Sequence, residues 1–184
     1  MKSNKHIFAL EGEWVRNMKR KDSIEPALKL LEQVCDIKHV FRKVATIHDF
    51  SHYLKQTATT SLSKYSIIYL AFHGSPGLIQ LGDSTKVTTD KIAEDYPALF
   101  ANKIVHFGSC STLSMNEDEL KEFKKTSGAR MVSGYTKDID FIDSTILDVA
   151  YFYQLQDLER VGVIGKKMKK LYPGMCERMG FVTV

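Results

Sequence analysis

Apolar residues along this chain fall into short unbroken runs, and stretches of helical periodicity separate them. The runs HIFALEG (6–12), KHVFRKVA (38–45), YSIIYLAFHG (65–74), NKIVHFGSC (102–110) and ARMVSGY (129–135) predict strands. The run at 65–74 has the continuity of a strand buried on both faces. Between the runs, SIEPALKLLEQVC (23–35) has apolar residues at helical spacing, with Ser23 as its expected N-cap and Pro26 in the first turn. HDFSHYLKQTAT (48–59) and TTDKIAEDYPALF (88–100) predict two further helices, the second ending near Pro97. SMNEDELKEFKKTSG (114–128) carries acids in its first turn, lysines in its last and Gly128 as a stop.

Residues 143–159 and 161–172 predict the last helices, Asp143 being a natural N-cap, and MGFVTV (179–184) predicts a closing strand. LIQLGDSTKVT (78–88) predicts a small hairpin around a Gly-Asp-Ser turn. Strands that alternate with helices imply an α/β fold, a three-layer α/β/α sandwich with a mainly parallel sheet. No repeat, linker or low-complexity stretch interrupts the pattern, so residues 1–184 form one expected domain.

Composition narrows the functional classes. Hydrophobic residues make up 43% and charged residues 26%, the balance of a globular chain. No apolar run approaches the roughly 20 residues needed to span a bilayer, and the first residues lack a leader pattern, so no membrane association and a cytoplasmic location are expected. Cys35, Cys110 and Cys176 are too few and too scattered for a disulfide framework or a zinc site. The net charge of +4 comes with basic clusters at 16–21, 121–125 and 166–170. These suit solvated helix faces and loops, and nucleic acid is not an expected partner.

Two strand ends carry chemistry. In an α/β sheet, sites form at the carboxyl ends of strands, where His73 and Cys110 both fall. A thiol beside a base is a minimal nucleophilic pair. Gly74, Gly108 and Ser109 leave backbone room beside it, and the Gly74 and Cys110 amides are candidate oxyanion donors. A free Cys in a strand is otherwise an inert core residue, and that alternative stays open on spacing alone. His106, on the strand leading to Cys110, sits too far back to be the base and is expected to be a buried structural imidazole. His48 and His52 are spaced as a metal pair but lack the Glu of HExxH.

IIYLAFHG, GLIQLGD, KIVHFGSCST and ARMVSGYTKDIDFIDSTILDVAYFY, taken in that order, resemble the caspase-like cysteine peptidases of the separase and CHAT branch. The resemblance covers about residues 65–155 and implies a caspase-like fold. It also implies His73 as general base, Cys110 as nucleophile, Gly74 at the oxyanion site and no cofactor. GYTKDID resembles the separase segment whose acid receives a basic side chain, making Asp138 and Asp140 candidates for a substrate Arg or Lys. The other possibility for these acids is a solvated loop that caps the next helix.

Trp14 and Arg16, after the first strand, are candidates for shaping substrate binding. The Gln-Ala-Cys signature of caspases proper is absent, which argues against aspartate specificity, although Arg16 and Arg20 would suit it. The implied partners are a protein or peptide substrate and, for control, a regulatory protein or a second copy of the chain. A non-catalytic caspase-like binding module is the alternative. No GxGxxG or GxxxxGK[ST] loop supports nucleotide binding, and CSTLSM lacks the Arg of a cysteine phosphatase.

Overall fold

A computed structural model describes residues 5–15, 19, 21–97, 99–158 and 160–184. Six strands form the central sheet: β1 (Ile7–Glu11), β2 (His39–Lys43), β3 (Ile67–Ala71), β7 (Ile104–Phe107), β8 (Met131–Tyr135) and β9 (Phe181–Thr183). Their order is β2-β1-β3-β7-β8-β9. The first five run parallel and β9 closes the edge antiparallel to β8. A separate small sheet contains β4 (His73–Ser75), β5 (Leu78–Gln80) and β6 (Lys86–Thr88), all antiparallel.

Alternation in the strands divides the core in two, because successive side chains leave a strand on opposite faces. Ile7, Ala9, Ile67 and Ile104 face α1 (Glu25–Cys35), α5 (Phe141–Gln156), α6 (Ile164–Leu171) and α7 (Pro173–Met179). Phe8, Leu10, Ile68 and Val105 face α2 (Ile47–Gln56), α3 (Thr89–Asp95) and α4 (Glu117–Ser127). The expected three-layer sandwich is the observed one.

Local chemistry sets the helix ends. Asn116 caps α4 in a reciprocal box with Glu119, and Gly128 ends that helix in the left-handed conformation. Two expected caps differ. Ile24, not Ser23, precedes α1, because the Ser23 hydroxyl donates to Glu11 Oε2 while accepting from the Glu25 N–H. Asp140, not Asp143, caps α5: its Oδ1 accepts from the N–H groups of Ile142 and Asp143, so the helix starts at Phe141. Helix α7 is an element that periodicity did not predict, since Pro173-Gly174 looks like a break; Pro173 instead occupies the first turn, where no backbone donor is needed.

One polar network crosses the apolar layer beneath α5. Asp148 accepts from the hydroxyl of Tyr69 at 2.5 Å, from the hydroxyl of Tyr135 and from His106 Nε2 at 2.7 Å. His106 Nδ1 meets Ser133 Oγ at 2.9 Å, and Ser133 meets the Tyr151 hydroxyl at 2.8 Å. His106 is fully buried and Asp148 is 2% exposed. A buried carboxylate is costly unless every lone pair is met, and here three donors from β3, β7 and β8 converge on one helix residue.

Burial, and then the adjacent Asp148 carboxylate, holds the Tyr69 and Tyr135 hydroxyls well above the ordinary tyrosine range; burial also raises Tyr151. Below about pH 10 both folded and unfolded chains keep these protons. Above it the unfolded chain releases them while the folded chain does not, so stability falls as pH rises, by about 1.4 kcal/mol per pH unit for each tyrosine. Urea unfolding between about pH 9 and about pH 11 is expected to show that decline, and Tyr151→Phe to reduce its slope by one tyrosine's share. Coincident slopes for the two proteins would contradict this account.

Candidate active site

The pairing of β3 with β7 brings an imidazole and a thiol to one edge. Ile67 lies opposite Ile104, and the register continues to Leu70 opposite Phe107. The Gly108 N–H then donates to the Leu70 carbonyl at 2.9 Å, keeping the chains together as they leave the sheet. His73 lies two residues beyond β3 and opens β4; Cys110 sits three residues beyond β7. Both line one cleft of about 210 Å³. Trp14, Val15, Ile139 and Phe141 form its apolar walls, and Asp22 and Ser144 add polar groups.

The turn that carries Cys110 is fixed by its neighbours. Ser111 adopts the left-handed conformation at φ 45°, uncommon outside glycine. Hydrogen bonds from the Ser111 N–H to the Lys137 carbonyl, 2.9 Å, and from the Leu113 N–H to the Tyr135 carbonyl, 3.0 Å, hold it there. Cys110 Sγ accepts from the Ile139 N–H at 3.5 Å and lies 3.7 Å from the Ile139 carbonyl. The Cys110 N–H donates to no group among the described residues.

Two glycines allow this close assembly. A Cβ on Gly74 would lie 2.2 Å from Thr112 Oγ1 and 2.6 Å from the Cys110 carbonyl, so β4 and the Cys110 turn touch backbone to backbone. A Cβ on Gly108 would meet the Tyr69 ring at 2.5 Å, placing the Asp148 network directly beneath the turn.

His73 is exposed, and its ring is oriented by the segment after β1. Nε2 lies 2.7 Å from the Trp14 carbonyl. A carbonyl only accepts, so Nε2 carries the hydrogen, and Nδ1 of the neutral ring keeps its lone pair. The Trp14 ring stands edge-on to His73 at 5.5 Å and to Phe141 at 5.2 Å. His73 and Cys110 share the cleft without a direct hydrogen bond, a spacing that catalytic pairs often close only around substrate.

The specificity candidates separate. Trp14 is on the cleft wall. Arg16 and Arg20 lie outside the described residues. Asp138, exposed, accepts from Ser111 Oγ at 3.2 Å, and Asp140 is the cap of α5; neither lines the cleft. Its carboxylate is Asp22, which lies in a stretch that the sequence pattern assigned only to a loop. Glu11 also escaped pattern reading, although a lone acid ending the apolar strand IFALE was a usable signal. Cys35, Cys110 and Cys176 are free, and no group of three or more metal-ligating side chains occurs among the described residues. No helix among them is long and apolar enough to cross a membrane.

The sequence matches a family of unknown function, DUF6642, over residues 4–183. No curated protein matches it. Among solved structures, the crystal structure of caspase-1 from Spodoptera frugiperda is similar with a TM-score of 0.57 at 12% identity, covering 91% of this chain and 77% of that one. The shared feature is the fold, which is caspase-like.

The contact at Gly74 is directly testable. Gly74→Ala is expected to push the Cys110 turn outward and to cost about 1–3 kcal/mol, the usual range for overpacking. A urea midpoint equal to the parent's would show that the two backbones have room to spare.

Proposed function

The chain belongs to the DUF6642 family, which carries no assigned activity, and on the geometry of its cleft we propose that it is a cysteine endopeptidase working through the Cys110–His73 dyad. The observation that carries this reading is the meeting of His73 and Cys110 in one open cleft, with the Trp14 carbonyl holding Nε2–H and so leaving Nδ1 as the basic nitrogen. The motifs around both residues resemble those of the separase and CHAT branch, which supports the same roles.

In the proposed cycle His73 takes the thiol proton and Cys110 Sγ attacks the peptide carbonyl carbon. The amides of Gly74 and Cys110 are the proposed donors to the oxyanion, the latter having no other acceptor among the described residues. The leaving amine takes the proton from His73, and water then hydrolyses the thioester. The caspase-like fold is the scaffold, and no cofactor takes part in these steps.

The cleft suits a basic residue before the scissile bond. Its aromatic walls accept an aliphatic stem and a cation over their faces, and Asp22 supplies a carboxylate. Apart from His73, no basic side chain lines it among the described residues. Asp22 lines the cleft, whereas Asp138 and Asp140, the acids that the sequence suggested for this role, do not.

A peptidyl chloromethyl ketone ending in Arg is expected to label the protein at Cys110, and Cys110→Ala to abolish labelling. Unchanged labelling in that variant would remove the peptidase reading and leave a caspase-like binding module. Asp22→Asn is expected to slow the Arg probe by about tenfold relative to one ending in norleucine, equivalent to about 1.4 kcal/mol. An unchanged ratio would place the basic subsite elsewhere.

A further inference from the structure

Glu11 is the last residue of β1 and is fully buried, yet it touches neither His73 nor Cys110. Its carboxylate collects donors from three directions. Oε1 accepts from Trp14 Nε1 at 2.7 Å and from the Ile24 N–H at 2.7 Å. Oε2 accepts from Ser23 Oγ at 2.7 Å and pairs with Lys43 Nζ at 3.4 Å. Trp14 begins the segment between β1 and α1, and Ser23 and Ile24 end it. One buried side chain therefore holds both ends of the segment that brings Trp14, Val15 and Asp22 to the cleft.

The bond to Trp14 has a second consequence. With its indole N–H tied to Glu11 and its ring edge-on to Phe141, Trp14 has an anchored side chain, and its carbonyl is the group that meets His73 Nε2. Burying a carboxylate costs several kcal/mol unless its lone pairs are met. Loop closure alone needs no such group, since apolar contacts would serve. What directed acceptors add is an angle: they fix where the Trp14 carbonyl points.

We infer that Glu11 is the positioning residue of the dyad, holding Trp14 so that its main-chain carbonyl keeps the His73 ring in the Nε2–H form with Nδ1 free to act as base. This rests on the reading of His73 and Cys110 as a catalytic pair, and it assigns a role to a residue outside the cleft. Gln at this position keeps an acceptor oxygen for Trp14 and Ile24, and its amide donates to the Ser23 hydroxyl. Ala keeps none of these bonds.

The test uses two readouts on the folded full chain. Nitrogen NMR of the His73 ring reports its tautomer without any need for activity, and the alkylation rate of Cys110 by iodoacetamide near neutral pH reports the pair. In the parent and in Glu11→Gln, His73 is expected in the Nε2–H form, with alkylation rates within about threefold of each other. Glu11→Ala is expected to give a mixture of tautomers and a rate lower by about tenfold or more, since small misplacements of catalytic groups carry penalties of that order. The indole of Trp14, the chain's single tryptophan, is expected to lose protection from hydrogen exchange in the same variant.

If Glu11→Ala does not fold, Trp14→Phe carries the test: it removes the indole donor, keeps an aromatic ring and leaves Glu11 its other partners. The same tautomer mixing is expected there. An unchanged His73 tautomer and Cys110 rate in whichever variant folds would overturn the inference. If parent Cys110 alkylates no faster than an ordinary thiol, the peptidase reading fails, and the tautomer measurement alone decides the role of Glu11.

Discussion

The parallel pairing of β3 with β7 is the constraint on which the site depends. Parallel strands cannot be joined by a tight turn, so the chain between them must leave the sheet and return, and both strands then end on the same edge. Residues 73–103 accomplish this with the small antiparallel sheet and α3. In-register pairing from Ile67 to Leu70 then puts His73 and Cys110 at one mouth, as backbone hydrogen bonding alone requires. Side chains refine that placement; they do not create it.

Two buried carboxylates do the refining, both on the face of the sheet that α1 and α5 cover. Asp148 reaches down from α5 to Tyr69, Tyr135 and His106, so it locks the helix to three strands under the Cys110 turn. Glu11 reaches sideways from the end of β1 and holds the segment that supplies the wall and the His73 partner. Each is satisfied by several donors, as a buried acceptor must be if it is not to destabilise the fold. Apolar packing gives the sandwich its layers, whereas these two groups choose one arrangement of loops above it.

Much of the sheet was legible because both-face burial leaves a continuous apolar run, as in IIYLA, and because Asn116, Glu119 and Gly128 bracket α4 in the usual way. The placement of His73 and Cys110 followed from strand ends alone. Element boundaries were harder where two elements share one apolar run: β4 begins two residues after β3, with no polar break to announce it. The buried acids were hidden for a different reason. Asp148 has a partner 79 positions away in sequence, and no local pattern distinguishes it from a surface residue of a helix. Asp22 and Ile139 reach the cleft only because loops fold back onto it, a matter of tertiary contact rather than of period.

The cleft is assembled from residues spread widely along the chain, at 14, 15, 22, 73, 110, 139, 141 and 144. Ribosomal synthesis delivers these pieces in order, and the sulfur emerges before the backbone that hydrogen-bonds to it and before the aromatic residue that walls it. A nascent chain with residue 110 outside the exit tunnel and residue 144 still within it would expose a thiol with no finished pocket around it. Completion of the cleft is thereby tied to the start of α5 reaching the sheet.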